Sequence, residues 1–231
     1  MKKIIALAVT SLLMVSSTFA LGLSIGAKGN LGTTVSNDWA EVGTDLKGLS
    51  MNSEFDGGFG AYVNVGIVGG LGVQVEADVT KSTIQFKGAS TQEAIDSNNW
   101  ETKNFDSWLV DVPVMLWGSL DFWKFNLGFG VGPNFSFNLD ATDRASFEAA
   151  GNYLSKVYTD KLYTLGLALG VDGKFYITDN FAIVASGRYI GNFEKTTATY
   201  PIEGGEGIDY PWIEFKRNSL YGGVGVELKL F

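Results

Sequence analysis

The 231-residue chain contains no cysteine and no histidine, and it has only four prolines. Without cysteine it can form neither a disulfide nor a thiolate metal site. Without histidine or cysteine it also lacks the ligands that transition metals prefer. We therefore predict no metal site and no cofactor.

Glycine and aromatic residues are abundant, in contrast to these absences. The chain has 30 glycines and 13% aromatic residues, whereas glycine usually makes up ~7% of a protein. It has no low-complexity tract that would account for the glycine, so the composition favours a β-barrel. The formal net charge of −8 argues against nucleic acid as a partner.

The first 20 residues have the pattern of a secretory signal peptide. Lys2 and Lys3 precede an apolar run from Ile4 to Val15, and Thr18 and Ala20 supply the small residues before a cleavage site. The alternative is a membrane anchor, but the run is shorter than the ~20 apolar residues that a spanning helix needs. No later run is long enough either. We predict a cleaved signal peptide at 1–20 and a mature domain at 21–231.

The clearest structural signal is the stretch Ser107–Leu139, which alternates with a period of two and predicts a β-hairpin. In its second half the large apolar residues share one face, and the other face consists of glycine, asparagine and lysine. A soluble sandwich needs the bulk inside, whereas a membrane barrel turns large apolar residues toward lipid and small or polar residues toward the lumen. The hairpin, with its turn expected near Gly118–Phe122, therefore predicts a transmembrane β-barrel.

Similar alternation recurs along the mature chain. The other predicted strands are Leu21–Lys28, Gly57–Val68, Leu71–Thr80, Leu162–Ile177, Phe181–Phe193 and Leu220–Leu230. Long polar segments at 32–56, 87–106, 140–161 and 194–216 alternate with short turns, as in barrels with short periplasmic turns and long external loops. We predict an all-β fold, an eight-stranded antiparallel up-and-down transmembrane β-barrel with both termini on the periplasmic side. The competing prediction is a soluble lipocalin-like barrel, which would need the apolar face inside.

Charged residues on the inward face predict what fills the lumen. Counted from the periplasmic ends, one layer should contain Lys28, Glu76, Asp111 and Arg188, and a second layer nearer the periplasm should contain Asp172, Lys174, Glu227 and Lys229. Eight strands enclose too little space for a water column, and buried charges persist when they are paired. We expect a cross-linked, poorly conducting lumen. The alternative is that strand shear separates these groups and lumen water solvates each of them.

Several segments carry a family resemblance. LVDVPVMLW, FNLGFGVGPNFSF, LGLALGVDGKFYI and FAIVASGRYIG resemble the porin-like outer-membrane β-barrel family that includes OmpX and the OmpA transmembrane domain. The C-terminal residues Gly225, Leu228, Leu230 and Phe231 resemble that family's assembly signal. The resemblance implies a cell outer membrane of a diderm bacterium as the location. It also implies outer-membrane lipid, the barrel assembly machinery and periplasmic chaperones as partners, and a monomeric state.

Three functional classes remain open from the sequence. The known outer-membrane barrel enzymes use histidine in general-base or related roles, so we predict that this chain is not an enzyme and has no catalytic residues. It is predicted to be a structural or minimally conducting barrel. One alternative is a small-solute porin or a transporter of apolar molecules similar to OmpW, which the inward residues Leu109, Met115 and Trp117 would suit. The other is a surface adhesin that binds a ligand through its loops.

The long segments are acidic, which has two interpretations. Their carboxylates could bind divalent cations that bridge to anionic glycolipid, or they could simply form a solvated surface. In the fourth segment, Tyr200, Tyr210, Trp212 and Phe215 could form a partner-binding patch or could pack the segment itself.

Overall fold

The computed structural model describes residues 22–42, 50–53, 55–88, 101–140, 158–159, 162–199 and 212–231. Side chains are described for 22–34, 56–83, 106–140, 162–196 and 215–231. The predicted signal peptide and the central parts of the four long segments lie outside these ranges. In the part of the chain that is described, no helix is long and apolar enough to cross a membrane.

Eight long strands form the fold, as the alternation predicted. They are β1 (Gly22–Val42), β2 (Phe55–Val68), β3 (Leu71–Gly88), β4 (Glu101–Phe122), β5 (Phe125–Asn138), β6 (Tyr163–Tyr176), β7 (Phe181–Thr199) and β8 (Trp212–Lys229). Each pairs antiparallel with the next, and β8 pairs with β1, so the sheet closes into a barrel. Two short strands, Ser50–Ser53 and Tyr158–Thr159, pair with β3 and β7.

The exterior of the barrel is apolar and the interior is polar. Outward residues such as Leu116, Phe129 and Val224 are 60%, 52% and 68% exposed, whereas inward residues such as Gln74 and Asp172 are fully buried. This is the arrangement of a membrane barrel, in which lipid covers the apolar face. The lipocalin-like alternative is therefore wrong, because it required the opposite arrangement.

At their loop-side ends, the strands extend farther than their sequence pattern indicated. Strand β1 was expected to end at Lys28 but continues to Val42, and β7 continues past Phe193 to Thr199. Backbone hydrogen bonds extend these hairpins without regard to side-chain type. Beyond the apolar band neither face has to be apolar, so the alternation that identifies a strand disappears there.

Two of the turns differ in how well the sequence predicts them. Gly69 and Gly70 form the expected β2–β3 turn, with φ of 56° and 81°. The turn between β4 and β5 was expected at Gly118–Phe122, but that stretch is strand, and Trp123 and Lys124 form the turn. Trp123 has a φ of 54°, a left-handed conformation that a tryptophan does not signal in a sequence.

The wall has a local gap in its hydrogen-bonded ladder. Between β3 and β4, the paired positions stop at Val75–Val114 and resume at Asp78–Asp111. Between β4 and β5, they stop at Pro113–Asn134 and resume at Leu116–Val131. Pro113 and Pro133 lie at these gaps, and a proline has no N–H with which to join a ladder.

The lumen as the candidate functional site

A cluster of five charged side chains lies at the centre of the lumen. Arg188 of β7 donates hydrogen bonds to Glu76 of β3, with a shortest N–O distance of 2.5 Å, and to Asp172 of β6 at 2.7 Å. Lys28 of β1 binds Glu76 at 2.6 Å and lies 3.3 Å from Asp78. All five side chains are at most 4% exposed. Four strands around the barrel are thus tied together by ion pairs through the lumen.

A second cluster lies nearer the periplasmic end. Lys174 of β6 binds Glu227 of β8 at 2.5 Å. The same carboxylate accepts hydrogen bonds from the hydroxyls of Tyr62, at 2.9 Å, and Tyr176, at 3.2 Å. Glu227 is therefore fully partnered, because a carboxylate that accepts several hydrogen bonds in addition to an ion pair has little remaining capacity.

A third group lies toward the loop side and consists mainly of neutral partners. Asp111 accepts hydrogen bonds from Asn134, at 3.1 Å, and from Ser136. At the loop-side start of β2, Asp56 accepts hydrogen bonds from Thr34 and from the backbone N–H of Thr83. This part of the lumen is thus held by hydroxyl and amide groups.

An apolar cluster also lies within the lumen. It consists of Met115, Trp117, Ala168, Ile190 and Tyr221, each at most 4% exposed. The guanidinium carbon of Arg188 lies 5.3 Å from the centre of the Trp117 ring, a distance typical of a cation–π contact. The apolar cluster and the central charge cluster therefore contact each other.

Glycines make room for the Trp117 ring. A Cβ atom added at Gly128 or Gly130 on β5 would meet the indole, and one at Gly170 on β6 would lie 3.0 Å from it. The glycine-rich inward face of β5 is thus complementary to a large side chain on β4.

A cavity of about 270 Å³ opens at the periplasmic end of the lumen. Its lining includes Trp117, Lys174, Glu227, Asn126 and Lys229. The cavity therefore reaches as far as the second charge cluster and the Trp117 indole, which lie between it and the loop side.

The structure changes how the predicted lumen residues are grouped. Lys28, Glu76 and Arg188 meet, but Asp172, expected nearer the periplasm, belongs with them. Asp111, expected in that layer, instead joins Asn134 and Ser136. Lys174 and Glu227 pair, whereas Lys229 is exposed at the rim. Counting from the periplasmic ends failed for these residues because the stagger between strands moves equal counts to different heights.

Sequence reasoning also missed several members of the site. Asp78 and Tyr62 contribute directly to the two charge clusters, and Gln74 donates a hydrogen bond to Glu76 at 2.6 Å. The signal was present on β3, where every second residue from Gln74 to Ser82 is polar and buried. Arg217, in the loop-side half, has buried Nε and Nη2 atoms that lack a hydrogen-bond partner within the described part of the chain.

The C-terminal residues complete the closure of the barrel. Leu228 and Leu230 are each 43% exposed on the outer face, and Phe231 is exposed at the end of the chain. Leu23 donates its N–H to the carbonyl of Phe231 at 2.9 Å, and Leu230 donates to Leu23 at 2.8 Å. At Gly225, an added Cβ would meet the backbone of Ala27 and Lys28. The predicted assembly signal is thus part of the β1–β8 seam.

Solved structures of outer-membrane proteins share this architecture. The outer-membrane protein OprG from Pseudomonas aeruginosa is 14% identical, with a TM-score of 0.66 over 90% of this chain and 96% of that one. AlkL, solved in DMPC bilayers, is 15% identical, with a TM-score of 0.58 over 90% of both chains. The chain has the fold of the small outer-membrane β-barrels. This is the fold that the sequence resemblance implied. No protein-family model matches the sequence, and no curated protein matches it significantly.

Proposed function

We propose that the protein is an integral outer-membrane barrel with a closed lumen, and that it acts as a structural or minimally conducting component of that membrane. The apolar exterior, the shared fold and the signal-peptide pattern support the location. The observation that carries the closed state is the ion-paired cluster of Arg188, Glu76 and Lys28, which joins β7, β3 and β1 through the lumen.

The energetics of buried charge support low conductance. An ion that crosses the lumen would have to displace a paired side chain, and leaving one partner of a buried pair without the other typically costs ~3 to 5 kcal/mol. It would also have to pass the packed Met115 and Trp117 side chains, which are 0% and 2% exposed. The lumen therefore acts as part of the protein core.

The proposed location also implies an orientation and partners. The short turns face the periplasm and the long connections face outward, as in other outer-membrane barrels. We propose that periplasmic chaperones and the barrel assembly machinery receive the chain, and that it works as a monomer surrounded by outer-membrane lipid. No catalytic role is proposed. In the described residues, no group of His, Cys, Asp and Glu side chains could hold a metal ion.

Two measurements test this function. The protein should fractionate with the outer membrane and should migrate differently on gels before and after heating, as folded barrels do. In planar bilayers the purified barrel should show only small or rare conductance steps. Recovery as a soluble periplasmic protein would refute the location, and a large steady conductance would refute the closed lumen.

A second candidate function is the passage of small apolar molecules through the wall. The supporting observation is the ladder gap, where Glu76 and Ala77 are not paired with Pro113 and Val112. Inside the barrel near this gap lie Leu109 and Met115, both buried. A lateral route would bypass the charge clusters, so it is compatible with poor axial conduction.

A cross-strand disulfide distinguishes the two candidates. Cysteines at Ala77 and Val112 should close the gap when oxidised, and a pair at Val79 and Val110, in the intact ladder, serves as the control. If the gap is a route, oxidation of the first pair should slow the uptake of an apolar fluorophore into proteoliposomes, and reduction should restore it. Equal uptake in both states would leave only the structural function.

A further inference from the structure

Two buried polar atoms at the periplasmic cavity have no hydrogen-bond partner within the described part of the chain. They are Nε1 of Trp117 on β4 and Oδ1 of Asn126 on β5, and both residues line the cavity. The two residues are 2% and 6% exposed. A buried donor or acceptor without a partner costs its full desolvation penalty, so native proteins satisfy nearly all such groups. The two atoms therefore indicate that the cavity takes a polar ligand.

The Trp117 indole turns its N–H edge toward the periplasmic end. A Cβ added at Gly130, which pairs with Trp117, would meet the six-membered ring. A Cβ added at Gly128, two positions nearer the periplasm, would meet Nε1. Asn126 is the next inward residue along β5. The indole donor and the amide acceptor are thus neighbours on one wall of the cavity.

The amide orientation of Asn126 is fixed by its neighbour. Its Nδ2 donates a hydrogen bond to Asp121 at 2.7 Å, which leaves Oδ1 as a free acceptor. Asp121 is exposed at the rim, whereas Oδ1 is buried. A hydroxyl group both donates and accepts. A ligand with several hydroxyls therefore complements the Trp117 donor and the Asn126 acceptor.

The charges of the cavity lining cancel. Lys174 binds Glu227 at 2.5 Å at the inner end, and Lys229 and Asp121 are exposed at the rim. Two lysines against two carboxylates leave no net charge with which to select an ion. The volume of about 270 Å³ is just below the ~300 to 1,000 Å³ of pockets for drug-sized ligands. The cavity therefore suits a neutral solute of monosaccharide size.

We propose that this cavity binds a small neutral sugar from the periplasm. Nε1 of Trp117 donates to a sugar oxygen, and Oδ1 of Asn126 accepts from a sugar hydroxyl. Binding does not require an open lumen, because the cavity ends at Trp117 and the Lys174–Glu227 pair. The site goes beyond the proposed closed-barrel function, and only its access to periplasmic solutes rests on the proposed orientation.

The mouth of the cavity has a position at which it can be filled while both polar groups stay in place. Gly66 lines the cavity and pairs with Gly22 and Gly72 on the adjacent strands. An added Cβ at Gly66 would approach nothing closer than 3.6 Å, and the nearest atoms belong to the Gly22 backbone. A leucine at this inward position therefore fits the wall and projects into the cavity.

The test uses the folded barrel, with ¹⁵N-labelled tryptophan, in a detergent that has no sugar headgroup. The indole N–H signal of Trp117 is identified by its loss in Trp117→Phe. Titration with glucose should shift this signal, while the signals of the outward-facing Trp108 and the exposed turn residue Trp123 stay in place. Asn126→Ala should bind glucose about fivefold more weakly, as expected for the loss of one hydrogen bond. Gly66→Leu should abolish the shift.

An asparagine at the same end of the barrel is the matched control. Asn180 is exposed in the β6–β7 turn and is not part of the cavity lining. Asn180→Ala should therefore bind glucose like the unmutated barrel. If Asn126→Ala fails to fold, Gly66→Leu decides, because it keeps Trp117 and Asn126.

The proposal is overturned if glucose does not move the Trp117 signal, which would show that the cavity holds water alone. It is also overturned if glucose moves the Trp108 and Trp123 signals equally, or if either cavity variant binds glucose like the unmutated barrel. Tighter binding of glucuronate would show that the lysines select an anion, and would overturn the neutral ligand. Gel migration and planar-bilayer conductance are measured without glucose. Failure of the proposed function would therefore appear in those measurements and not in the titration.

Discussion

Arg188 and Glu76 form an ion pair across the full width of the lumen. Their strands, β7 and β3, are four strands apart in an eight-stranded closed barrel and so lie on opposite walls. Arg188 reaches Glu76 through Nε, at 3.0 Å to both carboxylate oxygens, and through Nη2 at 2.5 Å. This contact braces opposite walls, which the backbone ladder between neighbours cannot do.

Removing this ion pair should lower the free energy of unfolding, and the effects of the two substitutions should not be additive. Arg188→Ala and Glu76→Ala should each lower the free energy of unfolding by ~3 to 5 kcal/mol, because each leaves the other charge buried. The double variant should lose less than the sum, since no unpaired partner of this contact remains. Urea unfolding in lipid vesicles measures all three, with the exposed turn variant Lys124→Ala as a control. Additive losses would show that the two side chains are not energetically coupled.

Lys174 and Lys229, which the sequence pattern assigned to the inward face near the periplasm, should contribute differently to stability. Lys174 is buried and bound to Glu227 at 2.5 Å, whereas Lys229 is exposed. Lys174→Met should therefore destabilise the barrel by ~3 kcal/mol or more, and Lys229→Met should change its stability by less than ~0.5 kcal/mol. The same unfolding assay measures both. Equal effects would contradict the grouping of Lys174 with Glu227.

Removing the Trp117 indole should open the lumen. Trp117→Ala creates a cavity beside Gly128 and Gly130, so it should cost ~3 to 5 kcal/mol and should raise single-channel conductance. Trp108→Ala on the lipid-facing side is the matched control and should leave conductance unchanged. If conductance stays low in Trp117→Ala, the charge clusters alone close the barrel.

The β4–β5 turn stores backbone strain that can be relieved. Trp123 has a φ of 54°, a conformation that costs L-residues ~1 to 2 kcal/mol and that asparagine tolerates better. Trp123→Asn should therefore stabilise the barrel by ~0.5 to 1 kcal/mol in detergent, where the tryptophan has no bilayer interface to interact with. Lys124→Asn tests the neighbouring position, where φ is not positive, and should have no such effect. A loss of stability in Trp123→Asn would mean that contacts of the indole outweigh the strain.

Lys81 of β3 and Asp106 of β4 form an ion pair at 2.6 Å outside the apolar band. The carboxyl group of Asp106 should titrate with a shifted pKa. Hydrogen bonds from Lys81 and then from Thr83 lower the pKa of Asp106 below its usual value. Its contribution to stability is therefore present above the unfolded pKa of ~3.9 and is lost as the pH falls through the lower folded pKa. Lys81→Gln should raise the pKa of Asp106 toward the usual value, which a carboxyl NMR titration can follow. An unchanged pKa in that variant would assign the shift to Thr83 alone.

The sequence was sufficient to predict the barrel but not the partners inside it. The alternation of large and small residues on β5, and the strict order of long and short connections, predicted eight strands and an apolar exterior. Which inward residues meet depends on the stagger between strands. For that reason Asp172 lies in the central cluster and Asp111 lies in the loop-side group, because no local pattern records how far one strand slides past the next.

Other features of the structure were not predicted because they depend on backbone geometry and have no side-chain pattern in the sequence. The part of β1 from Gly32 to Val42 has no clear apolar alternation, since both faces lie beyond the apolar band there. The turn at Trp123 uses a residue that is rare in left-handed geometry.

The length of the strands sets how far the protein reaches from the cell. Strands β1 and β4 have 21 and 22 residues, which at ~3.3 Å per residue and a ~40° tilt give a wall ~55 Å high, about twice the apolar band. Gly88 and Glu101, which end β3 and begin β4, are paired at the top of this wall. These paired strand ends therefore lie ~25 Å beyond the hydrocarbon. A soluble ligand can contact the wall at this height without touching lipid.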